Sequence, residues 1–108
     1  MLLTQKKLKY VNNVGVQSVM KPYQDELIQE NTFIREFSID TNQDDLVWHR
    51  DKSDRRIEVI EGDGWALQYD NHLPMGLEPG DAFNIKANEY HRLYKGITPL
   101  KILIKEKI

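Results

Sequence analysis

From residue 31 onward, turn-forming residues interrupt this sequence at intervals of roughly 8–12 residues, which predicts many short strands folded into an all-β sandwich or barrel. The breaks are Asn31, the polar run 41–45, Glu61-Gly62-Asp63-Gly64, Asp70-Asn71-His72 with Pro74, Glu78-Pro79-Gly80-Asp81, Ala87-Asn88-Glu89 and the run 95–99. The glycines supply positive φ, the prolines fix φ, and the Asx side chains bond their own backbone, so each break has a local physical cause. Glu78-Pro79-Gly80-Asp81 is the pattern of a type II turn, and Asp63-Gly64 suits a tight hairpin. Between the breaks, residues 32–39, 46–51, 56–60, 65–71, 82–86, 90–94 and 100–104 read as strands, with 105–108 as a solvated tail. At 108 residues the chain has room for one core but not two. Residues 1–22 suit short extended pieces. Over residues 22–30 the spacing of Tyr23, Leu27 and Ile28 predicts about two helical turns. Residues 1–32 are therefore expected to form an extension on the outside of the fold or an added edge strand.

Strand side chains alternate, so Val47, His49 and Asp51 share one face of the strand 46–51, while Leu46, Trp48 and Arg50 share the other. A histidine and a carboxylate thus sit together, and His91 enters its own strand just after a bend. Two imidazoles and a carboxylate facing one interior are a donor set for Fe(II), Mn, Ni or Zn. With no cysteine there is neither a disulfide nor a thiolate site, which fits a reducing compartment. A formal charge of −2 argues against a nucleic-acid partner held by a broad basic field. No apolar run approaches the roughly 20 residues that cross a bilayer, and lysines stand where a signal peptide needs its apolar stretch, so a cytoplasmic location is expected.

The two stretches 46–65 and 79–91 resemble the two motifs of the cupin superfamily. His49 falls on the first motif's first histidine, Asp51 on its second, Arg55 on its glutamate and Gly62 on its closing glycine. In the second motif Gly80 and His91 are retained, with Lys86 and Asn88 in the proline and second glycine places. The resemblance spans residues 33–106 and implies a single cupin β-barrel, a double-stranded jelly roll, preceded by an N-terminal extension with a short helix. It also implies a cavity for a small-molecule ligand, a homodimer, and a metal held by His49, Asp51 and His91, with no organic cofactor. Two of the four ligand places are substituted.

Arg55 cannot ligate a cation; turned outward, it would pair with Asp54 or Glu58. Asp54, one residue before the glutamate place, would serve as a ligand only if the strand junction shifted. Three readings stay open. The first is a metal centre acting on or binding a small polar molecule. The second is a metal-free anion site, in which Arg50, Arg55 and Arg92 supply forks for a carboxylate or phosphate and His49 or His91, oriented by Asp51, acts as base. The third is a metal-free, non-catalytic module that binds a ligand or another protein. Arg50 and Arg92 otherwise suit surface salt bridges, and Trp65 and Tyr69 are core aromatics or a stacking platform for a ligand. His72 is assigned no role.

Overall fold

The structure, a computed structural model, describes residues 21–107. The strands fall between the breaks: β1 (Tyr23–Gln29), β2 (Thr32–Phe37), a 3-10 turn at Gln43–Asp45, β3 (Asp54–Glu61), β4 (Ala66–Tyr69), β5 (Met75–Gly76), β6 (Ala82–Ile85), β7 (His91–Tyr94) and β8 (Leu100–Lys107). They form two antiparallel sheets, a five-stranded one in the order β1-β2-β8-β3-β6 and a three-stranded one in the order β5-β4-β7. The architecture is the all-β jelly roll expected, as two facing sheets rather than one closed barrel. No described helix is long and apolar enough to cross a membrane.

Alternation along β8 decides what lies between the sheets. Leu100, Ile102 and Ile104 are buried, whereas Lys101, Leu103 and Lys105 on the other face are not. On neighbouring β3, Ile57 lies opposite Ile104 and Val59 opposite Ile102, so β-branched pairs stack on the inner face. Leu67 on β4 and Leu93 on β7 close the core from the other sheet. Each fully buried aliphatic side chain of this set contributes about 1.5–3 kcal/mol.

One end of the sandwich is sealed by two turns packed backbone to backbone. Gly62 and Gly64 have φ of 148° and 81°, which lets the β3–β4 turn curl tightly onto the β7–β8 turn. Ile97 N–H donates to Asp63 O at 2.9 Å, and Asp63 N–H donates to Thr98 Oγ1 at 2.8 Å. Trp65 lies beneath this junction, 1% exposed, its indole N–H donating to Thr98 O at 2.7 Å.

Three expectations need correction. Residues 23–29 are strand β1, not helix: Asp25 lies opposite Arg35 on β2, and the two form a bidentate ion pair at 2.8 and 3.0 Å. The Arg35 guanidinium also lies over the Tyr23 ring, 3.6 Å from its centroid, so pairing with β2 overrides a weak helical period. The Leu27 and Ile28 side chains that suggested a helix face are exposed. Residues 46–51 make an isolated bridge between His49 and His91 instead of a strand. Residues 105–107 are not a tail but the end of β8, paired with β3. The extended pieces expected in residues 1–20 lie outside the described residues.

Candidate metal centre

The bridge between His49 and His91 builds the site. His49 N–H donates to His91 O at 3.0 Å and His91 N–H donates to His49 O at 2.9 Å, so the two residues are directly opposed. Opposed residues of an antiparallel pair project to the same face, and the imidazole centroids are 4.2 Å apart. Asp51 O accepts Asn88 N–H at 2.7 Å, tying the segment after His49 to the turn before His91. Asn88 has a φ of 65°, a value asparagine tolerates, which explains how it stands in a glycine place.

Each imidazole is oriented by the chain two residues before it. His49 Nδ1 lies 3.1 Å from Val47 O and His91 Nδ1 lies 2.8 Å from Glu89 O. A carbonyl only accepts, so Nδ1 carries the proton in both rings and the lone pair is left on Nε2. Ligating histidines are commonly fixed this way. His91 Nε2 is 3.5 Å from Asp51 Oδ2, and one donor atom from each of His49, Asp51 and His91 lies within 4.8 Å of the others.

The charge state suits a cation. Burial, followed by the neighbouring His91, lowers the pKa of His49 from 6.5 to about 4, against the opposing pull of Val47 O and Asp51. Burial likewise lowers that of His91, 3% exposed, although Glu89 O and Asp51 act the other way. Both rings are therefore neutral at pH 7, and neither gives Asp51 a charged donor. Asp51 Oδ2 is buried without a hydrogen-bond partner. An unpartnered buried carboxylate oxygen is costly, and a cation shared with two neutral imidazoles would satisfy it. The residues present fit a divalent ion.

The lowered pKa values have a measurable consequence. Each ring binds a proton more readily in the unfolded chain, so unfolding takes up protons as the pH falls from 6.5 towards about 4. Metal-free protein should lose stability through that window and show none of this dependence above about pH 7. Denaturant melts near pH 5 should report uptake of about one proton from His49 plus a fraction from His91. A flat profile from pH 7 to 4 would contradict the buried, neutral pair.

Arg55 also lines the site. It lies opposite Glu106 on β8, donates to Glu106 Oε2 from Nε at 3.1 Å and Nη2 at 2.9 Å, and places Nη1 3.4 Å from Asp51 Oδ1. The outward pairing with Asp54 or Glu58 does not form: Asp54 accepts Ala87 N–H at 2.7 Å, and Glu58 is near Arg56 and Lys105. Glu106 went unrecognised in the sequence, although alternation from Ile102 and Ile104 puts it on the inner face. Arg55 thus faces Oδ1 of Asp51 and leaves Oδ2 as the oxygen open to a cation.

The other candidates fall elsewhere. Trp65 is in the core at the sealed end, and Tyr69 donates to Asn84 O at 3.2 Å with its pKa raised by burial and by Glu89. Neither is among the residues lining the cavity. Arg50 lies over the Tyr90 ring, and Arg92 over Trp48 and Tyr94, bonded to Gln68 and Tyr94. These are cation–π contacts rather than the salt bridges expected. His72 sits in an exposed turn, with Nδ1 against Asp70 O.

His49, Asp51, His91 and Arg55 line a cavity of about 340 Å³ between the sheets, whose other walls include Ile57, Leu67, Phe83 and Ile102. No protein-family model and no curated protein matches the sequence. Solved structures do match. A cupin domain from Bordetella pertussis aligns over 84% of this chain and 100% of its own, with a TM-score of 0.52 and 13% identity. The fold is that of the cupins. The DMSP lyase DddQ from Ruegeria pomeroyi shares the cupin fold over 86% of this chain (TM-score 0.63, 10% identity), as does Fe(II)-HppE over 86% (TM-score 0.59, 18% identity). This chain spans 50% and 53% of the length of those two.

Proposed function

We propose that this chain is a small cupin in which His49, Asp51 and His91 hold one divalent metal ion next to a cavity that takes a small polar molecule. The observation that carries the reading is the buried, unpartnered Asp51 Oδ2 beside two neutral imidazoles. Fe(II)-HppE, with iron on the same fold, supports it. A bound Fe(II), Mn, Ni or Zn ion would supply Lewis acidity or, as iron, a site for O2. The chain's own part is to orient the ligands: Val47 O and Glu89 O fix the rings, Arg55 fixes Asp51, and the apolar walls exclude water. Among the described residues β1 is an edge strand whose Leu27 and Ile28 are exposed, which supports a homodimer. A second reading, a metal-free module that binds a small ligand, is favoured by the Arg55 guanidinium 3.4 Å from the ligand carboxylate, since it opposes a cation.

Elemental measurement of untagged protein purified without chelator, with melting curves in Mn, Fe, Ni and Zn, separates the two. The metal reading expects near one ion per chain. At about 100 times Kd an ion stabilises by about 2.7 kcal/mol, a rise in melting temperature of roughly 10–20 °C for a domain of this size. No ion and no shift would establish the metal-free module instead.

A further inference from the structure

The cavity is chemically divided, and the division specifies what it takes. His49, Asp51, His91 and Arg55 form one polar cluster, while Phe37, Leu100 and Ile104 are among the apolar walls. Phe37, Leu100 and Ile104 carry no polar side-chain atom, so this wall offers no hydrogen-bonding side chain to a ligand. At about 30 Å³ per water-sized unit, 340 Å³ admits a molecule of about a dozen non-hydrogen atoms.

With a divalent ion bound, the polar cluster is positive towards that space, because the ion and Arg55 together outweigh the carboxylates of Asp51 and Glu106. Arg35, also at the cavity, is neutralised by its bidentate pairing with Asp25. Arg55 is held by two carboxylates but is not exhausted by them. Of the five N–H groups of a guanidinium, Nε and one on Nη2 go to Glu106, and one on Nη1 faces Asp51 at 3.4 Å. Two remain, on a side chain only 15% exposed and already part of the cavity lining. Arg50 lines the same cavity and, among the described residues, has an aromatic ring rather than a carboxylate for a neighbour.

We infer that the cavity binds a small monocarboxylate, with its two oxygens at the N–H groups of Arg55 beside the metal centre and its apolar body along the aliphatic walls. The inference rests on the metal reading for the position of the head group, and on Arg55 for its charge. Two donors match two oxygens, which favours a carboxylate over a phosphate, whose further oxygen would meet the apolar wall.

The test compares hexanoate with 1-hexanol, equal in chain length and different in charge, titrated calorimetrically into Zn-loaded and EDTA-stripped protein and into Arg55→Gln and Arg55→Lys variants. Metal content is measured on the same samples. Hexanoate should bind at least tenfold tighter than 1-hexanol to the Zn-loaded protein. Compared at zinc concentrations that bring each variant to the wild-type zinc content, Arg55→Gln should erase that preference, and Arg55→Lys, which keeps charge but loses the fork, should keep only part of it. Equal binding of the two probes, or a preference unchanged in Arg55→Gln, overturns the carboxylate assignment while leaving the metal centre standing. Wild-type protein that takes up no zinc refutes the metal centre instead. The hexanoate preference of that metal-free protein against its Arg55→Gln variant then still decides the assignment. If Arg55→Gln does not fold, a preference in Arg55→Lys equal to that of the wild type overturns it.

Discussion

Protein carrying His91→Ala is expected to lose its metal, its content falling from near one ion per chain to a trace. His91 is one of three donors whose ligand atoms lie within 4.8 Å, and the substitution removes a donor outright. Removing a group that merely orients a ligand weakens metal binding about 10–100-fold, so loss of the ligand itself should weaken it by roughly 100-fold or more. The backbone bridge to His49 uses only main-chain atoms and survives the change, so the apo protein should still fold. A second readout follows from the electrostatics. His91 is the second largest cause of the depressed His49 pKa, after burial. In the variant, the His49 resonance should therefore titrate above about 4. A variant with undiminished metal content would place the ion elsewhere.

The largest expected effect on stability belongs to a glycine. A Cβ on Gly96 would lie 2.1 Å from Asp63 O and 2.6 Å from Trp65 N, both backbone atoms of the opposing turn. Neither can move without breaking the sealed end, so Gly96→Ala should cost about 3 kcal/mol or more. Two other glycines are controls. Gly80 has open space but a φ of 94°, so alanine there meets only backbone strain, about 1–2 kcal/mol. Gly76 has neither constraint, and Gly76→Ala should change stability by no more than about 0.5–1 kcal/mol. Denaturant melts of the three variants should rank 96, 80, 76. Equal losses would show that the two turns do not pack as described.

The strands were legible wherever their ends are set by local chemistry. Gly80, at a φ of 94°, and Asn88, at 65°, sit where the turn signals put them. His49 and Asp51 share a face by their two-residue spacing, and His91, which the motif resemblance put beside them, joins them through the backbone bridge to His49. What sequence did not reveal depends on distant partners. Arg55 finds Glu106 across 51 positions, and only the pairing of β3 with β8 makes them neighbours. β1 was unreadable for a related reason: its charged and amide residues favour neither state strongly, and Arg35 on β2 decides the outcome. Trp65 and Leu67 share a strand face, but alternation specifies only the face. It does not say whether a ring meets the cavity or, as here, Thr98 at the sealed end.

The strand order has a consequence for the timing of assembly. β8, the last strand described, is the one that joins β2 to β3. Of the large sheet, the β1–β2 hairpin can form from neighbouring sequence and β3 can pair with β6, but these two halves join only when residues 100–107 arrive between β2 and β3. Such loop closures are entropically slow, and chains dominated by them fold in milliseconds to seconds rather than microseconds. During synthesis, β2 and β3 therefore each present an unpaired edge, and the cavity between the sheets cannot exist until β8 is inserted.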